Sequence, residues 1–132
     1  MWKTKLFKQI EQEYSYIELN SVNKAYEFII KKFNEELLKP INSIHPEYAD
    51  INIVDENKTE LHIGEKLLII RSNKEFKVIE FTFNNNRIKV SFKSDNYGIV
   101  QNISEIKELD NDMKYFNKHY VEKVFEYVFS VA

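Results

Sequence analysis

Residues 61–93 read LHIGEKLLIIRSNKEFKVIEFTFNNNRIKVSFK, and in this stretch apolar side chains recur at every second position between short polar, turn-forming interruptions. A period of two is the signature of β-strands with one buried face. The clearest segment is 87–93, where Ile88, Val90 and Phe92 alternate with Lys89, Ser91 and Lys93. Phe76–Phe83 precedes it with Ile79, Phe81 and Phe83 on one parity, and Asn84, Asn85 and Asn86 lie between. A two-residue turn at Asn85 and Asn86 pairs Phe83 with Ile88 and Phe81 with Val90, all on one face. Asn tolerates the positive φ that a type I′ turn needs. A three-residue turn would instead set Phe81 against Lys89, and a one-residue slip moves every side chain to the wrong face.

The same reasoning extends in both directions. Gly64 and Glu65 form a Gly-first turn of the type II′ kind that pairs Ile63 with Lys66 and Leu61 with Leu68. A turn at Asn73 and Lys74 places Leu68 against Ile79, and Ile69 beside Val78. A turn near Asp95 and Asn96 sets Phe92 opposite Ile99. One core face results: Leu61, Ile63, Leu68, Ile70, Ile79, Phe81, Phe83, Ile88, Val90, Phe92 and Ile99. The four turns give an antiparallel meander of about five strands, beside which Ile51–Val54 could add a short edge strand.

On either side of the meander the period becomes helical. Trp2, Leu6, Ile10, Tyr14 and Ile17 make one stripe, and Val22, Tyr26, Ile29, Phe33 and Leu37 another. These are two helices or one kinked helix, with Asn20 or Ser21 as a cap and Pro40 as the stop. A last amphipathic helix is expected from about Asp110 to Val131, capped by Asp110, Asn111 or Asp112. Its inner stripe is Met113, Phe116, Tyr120, Val124, Val128 and Val131. Helices, then a meander, then a helix packed on the sheet describe an α+β fold. Residues 1–132 are read as a single domain: the length is ordinary for one, and no Pro-, Ser- or Gly-rich linker interrupts it.

Composition narrows the function classes. The chain has no cysteine, which excludes thiolate chemistry, disulfides and sulfur-ligated zinc and makes the cytoplasm the expected setting. Lys3, Lys5 and Lys8 interrupt the apolar run that a signal peptide would need, and no stretch is long enough to span a membrane. Net charge is −2, with both signs interspersed, which argues against a general nucleic-acid or membrane surface. Abundant Lys, Ile and Asn fit an AT-rich bacterial or phage genome.

No constellation for chemistry stands out. His45, His62 and His119 share no metal-ligand spacing, and with only Gly64 and Gly98 as glycines no phosphate-cradling loop can form. No catalytic, cofactor or metal residues are assigned. The second sheet face is more informative. Leu67, Ile69, Phe76 and Val78 share the parity opposite to the core, where they must be covered by the N-terminal helical region or by another molecule. On the same side Arg87, Lys89 and Lys93 form a basic row, read either as a patch for an acidic partner or as lysines that guard against edge pairing. These seven residues are the candidate partner-binding set. In outline the chain is similar to bacterial or phage accessory proteins that act by binding. The expectation is a non-enzymatic protein-interaction module of the inhibitor, immunity or regulatory kind, binding a protein partner or itself as a homodimer. The alternative is a small-molecule binder or enzyme using a tyrosine-lined pocket between the sheet and the last helix.

Overall fold

The computed structural model describes residues 1–14, 19–93, 96–102, 109 and 115–130. Ile17, Asp95, Asp110, Asn111, Asp112, Met113 and Val131, which carried parts of the sequence reading, lie outside the described residues. The fold is α+β: α1 (Trp2–Tyr14), α2 (Val22–Phe33), a π-helical turn (Asn34–Leu38) and α3 (Lys39–Ile44) precede the sheet, and α4 (Lys118–Phe129) follows it. The six strands are β1 (Ala49–Asp55), β2 (Lys58–Ile63), β3 (Lys66–Asn73), β4 (Val78–Phe83), β5 (Asn86–Lys93) and β6 (Tyr97–Asn102). They form one antiparallel meander in sequence order.

The two faces were read correctly for β2 to β5, and the turns decide why the partners differ. At Gly64 the expected register holds, with Ile63 opposite Lys66 and Leu61 opposite Leu68, and Gly64 takes a φ of 59°. At the next hairpin the turn is longer. Lys74, Glu75, Phe76 and Lys77 all lie in it, Asn73 pairs with Val78, and Ile70 pairs with Phe81. Leu68 therefore does not face Ile79, nor Ile69 Val78. The asparagine turn sits one residue earlier than expected: Asn84 and Asn85 carry positive φ (46° and 67°), so Phe81 faces Ile88 and Phe83 faces Asn86. Both slips are by an even number of residues, which keeps each side chain on its face.

The β5–β6 pairing slips by one. Phe92 faces Gly98 and Val90 faces Val100, which turns Ile99 to the outer side. A Cβ on Gly98 would come within 2.9 Å of both Phe92 and Val90 and 3.2 Å of Phe116. The inward position is thus reserved for a residue without a side chain, and Phe116 packs over it, its N–H donating to the Gly98 carbonyl at 2.7 Å.

α2 and α4 lie on the inner face. Ala25, Ile29 and Phe33 from α2, and Tyr120, Val121, Val124 and Phe125 from α4, join Leu61, Leu68, Ile70, Ile79, Phe81, Ile88 and Val90 in one core. Ser21 caps α2 by accepting from the Lys24 N–H at 3.3 Å, as the sequence suggested. Pro40 does not end the helical run. Proline has no N–H to donate and its ring crowds the carbonyl four residues back, and the wider π-helical turn before it accommodates both, with the Lys39 N–H reaching the Asn34 carbonyl. The helix then continues to Ile44. α4 starts later than expected: Tyr115 bridges the β6 edge at Ile99, Phe116 and Asn117 are not helical, and buried Asn117 is the cap, accepting from the Tyr120 N–H at 2.8 Å.

Candidate functional site

The outer sheet face, where the sequence placed the candidate residues, is divided. Leu67, Ile69 and Val78 are half-buried there, but Leu67 lies opposite His62, Ile69 between Glu60 and Thr82, and Val78 between Asn73 and Ser91. The row Lys58, Arg71, Glu80, Lys89 and Gln101 runs across the strands between Ile69 and Val78. Phe76 belongs to the β3–β4 turn, 71% exposed. Phe76, Val78 and Lys89 do meet, with Arg71, Asn73 and Glu80, around a hollow of about 350 Å³. Arg87 bonds Glu80 at 3.0 Å, and Lys93 stands opposite Tyr97 at the far margin. Glu60, near Ile69, has its carboxyl held below the ordinary range, chiefly by the Asn52 amide donating to it at 2.9 Å. The longer β3–β4 turn is what separates the apolar residues, so they make no continuous patch.

α1 does not cover this face. Residues 1–11 are all exposed, including Trp2 at 69% and Phe7 at 61%. The expectation that the N-terminal helical region wraps the second side is therefore not met by α1, and α2 packs on the inner side.

A larger concavity lies along α4, at the β2 end of the helical layer. It has a volume of about 510 Å³ and is open to solvent, with Leu37, Ile41, Tyr48, Ile63, Phe125 and Phe129 as its apolar lining. Each element contributes for a local reason. The helix continues past Pro40, so Leu37 and Ile41 stand one turn apart on it. Phe125 and Phe129 stand one turn apart on α4, and both rings pack on Phe33, at 6.0 and 5.6 Å. Asn42 pins the end of α3 to β1 by donating to the Ala49 carbonyl and accepting from its N–H, both at 2.9 Å. Tyr48 lies against Gly64, where an added Cβ would meet its hydroxyl oxygen at 2.6 Å.

The rim is acidic. Glu36, Glu122 and Glu126 surround the opening together with one cation, Lys32, which bridges Glu36 at 2.7 Å and Glu122 at 3.2 Å. Among the lining side chains carboxylates outnumber cations by two, and the Lys66 ammonium stands at the Phe129 end, donating to the Phe129 and Ser130 carbonyls at 3.3 and 2.6 Å. Such an arrangement suits a ligand that is apolar on one side and cationic at its borders.

Tyr48 is the tyrosine that lines this groove; Tyr115, Tyr120 and Tyr127, the tyrosines of the last-helix region, take other roles. Tyr120 is buried in the core, where desolvation raises its phenol pKa well above the ordinary value. Tyr127 sets its ring edge against Phe83 at 5.7 Å, and Tyr115 sets its own against Tyr97 at 5.3 Å. Ile41, Phe129 and the glutamate pair on α4 were missed as site residues. The signal available was the four-residue spacing of Glu122 with Glu126 and Phe125 with Phe129, which places an acidic edge beside an aromatic one.

His45 is the residue after α3 and is exposed, and His62 lies 3.7 Å from Glu60 on the outer face. No group of three His, Asp or Glu side chains among the described residues could hold a metal ion. No helix among them is long and apolar enough to cross a membrane. Neither a protein-family model, nor a curated protein, nor a solved structure matches this chain.

Proposed function

We propose that this chain is a non-enzymatic protein-binding module of the inhibitor, immunity or regulatory kind, and that its groove along α4 receives an amphipathic helix with basic flanks. The observation that carries this reading is the apolar floor of Leu37, Ile41, Phe125 and Phe129 beneath the carboxylates of Glu36, Glu122 and Glu126. A helix laid in a groove binds through apolar anchors three or four residues apart, and charges at the border fix its orientation and speed its capture. The composition fits a bacterial or phage setting.

The test uses a fluorescein-labelled Leu/Lys amphipathic helix, with a scrambled peptide of the same composition as control. Anisotropy should rise saturably with the first and not the second, and binding should weaken with salt. Glu122→Lys with Glu126→Lys should weaken it about tenfold or more, roughly 1.4 kcal/mol. Equal binding of the two peptides would sink the proposal.

A second reading is favoured by the groove's size alone, which lies in the range of small-molecule sites. An apolar amine would satisfy both floor and rim. Thermal shift against a series of alkylamines, rising with chain length and lost in the same double variant, would select it.

A further inference from the structure

We propose that the occupant of the groove is α1 of a second copy of this chain, the two copies exchanging their N-terminal helices reciprocally. The inference rests on the reading of the groove as a receptor for a basic amphipathic helix. α1 has that chemistry: Trp2, Leu6, Phe7 and Ile10 stand at i, i+4, i+5 and i+8, and Lys3, Lys5 and Lys8 accompany them. The four apolar side chains are exposed in their own chain. The side of α1 that carries Lys8 and Glu11 borders a hollow on the helical layer with Phe28, Lys32, Glu36, Lys118, His119 and Glu122. Among the described residues, none of α1 lines the groove of its own chain. An amphipathic helix in water owes most of its stability to the burial of its apolar face, and here that face is unburied while an apolar groove stands open.

Charge complements shape. Lysines in the first turns of a helix oppose its dipole. Against a rim with an excess of two carboxylates the same lysines are matched. Because each copy carries both helix and groove, two contacts of one kind close a symmetric pair.

The full chain supplies its own reporter, since Trp2 is its one tryptophan and lies on α1. Light scattering after size exclusion should give twice the chain mass for the wild type, with Trp2 emission shifted to the blue as concentration rises. Lys3→Glu with Lys5→Glu and Lys8→Glu should yield monomers with red-shifted emission, and so should Glu36→Lys with Glu122→Lys and Glu126→Lys. An equimolar mixture of these two variants restores opposite charges at both contacts and should return the double mass. Should the groove triple variant misfold by circular dichroism, Glu126→Lys alone and Leu6→Glu alone are expected to raise the dimer dissociation constant about tenfold or more.

A wild type that remains monomeric across the concentration range overturns the proposal, and so does a mixture that fails to recover the dimer. If the wild type is monomeric and the lysine-to-glutamate variant, whose groove is untouched, still binds the Leu/Lys helix, the groove reading stands with another occupant. If it does not, both fall. A monomeric wild type whose Trp2 emission shifts on phosphatidylglycerol vesicles would assign the stripe to a lipid surface and overturn the exchange.

Discussion

Gly98 shows how one missing side chain sets the pairing of an edge strand. Val90, Phe92 and Phe116 close around the space a Cβ would need. None of these contacts is with the free end of a flexible chain, so Gly98→Ala forces the core to shift. Overpacking of this kind costs about 1–3 kcal/mol, which urea denaturation should register as a lower midpoint with an unchanged slope. Asn117 makes a complementary case. It is buried, it caps α4, and its side chain accepts from the Tyr120 N–H. Asn117→Ala should lower stability by about 1 kcal/mol or somewhat more, measured in the same way, while Asn117→Asp should keep most of it. Neither role was legible beforehand. A glycine in a strand reads as a weak point, and the caps for the last helix were sought at Asp110, Asn111 and Asp112, because acidic and amide residues cluster there.

At the scale of elements, the hairpins separate what a pattern can specify from what it cannot. The turn at Gly64 was legible because glycine marks a φ that other residues avoid, and it left one register. The run Asn84, Asn85, Asn86 offers two overlapping turns with the same faces, and the structure uses the first pair. In a type I′ turn the second position favours glycine most strongly. Asn85→Gly should therefore stabilise the β4–β5 hairpin by about 0.5 kcal/mol, visible as a higher thermal midpoint, and a lower midpoint would reject the assignment. The helical elements carry the same lesson. Pro40 reads as a stop because a regular α-helix cannot hold it in its interior, yet a π-helical turn makes room. With Pro40 read as the stop, Ile41 falls beyond the helix, and only the tertiary structure shows the groove that it helps to floor.

For the whole molecule, the buried phenols make stability depend on alkaline pH. Burial raises the pKa of both Tyr120 and Tyr26, the latter in part opposed by its 2.6 Å hydrogen bond with Thr59, whose side chain is itself buried. The folded state then keeps protons that the unfolded chain releases above about pH 10. Their contribution is complete below that value and is lost as pH rises through and beyond it. Urea midpoints should fall between roughly pH 10 and 11, and Tyr120→Phe should show a smaller fall than the wild type. An equal fall in both would place the alkaline sensitivity elsewhere.

The sequence by itself determined the α+β class, the buried sides of α2 and α4 and the inner face from β2 to β5, because hydrophobic periodicity reports which side of an element is buried; the stripe of α1 has the same period and stays exposed. That property is unchanged by even slips in register, so Leu68, Ile70, Phe81 and Val90 are buried despite wrong partners. Tertiary structure decided the partners, the outward turn of Ile99, the division of Leu67 and Ile69 from Val78, and the groove. Each of these depends on distances between elements far apart in the chain: Phe116 over Gly98, Tyr48 against Gly64, α4 beside the π-helical turn. Periodicity within one segment carries no information about such distances.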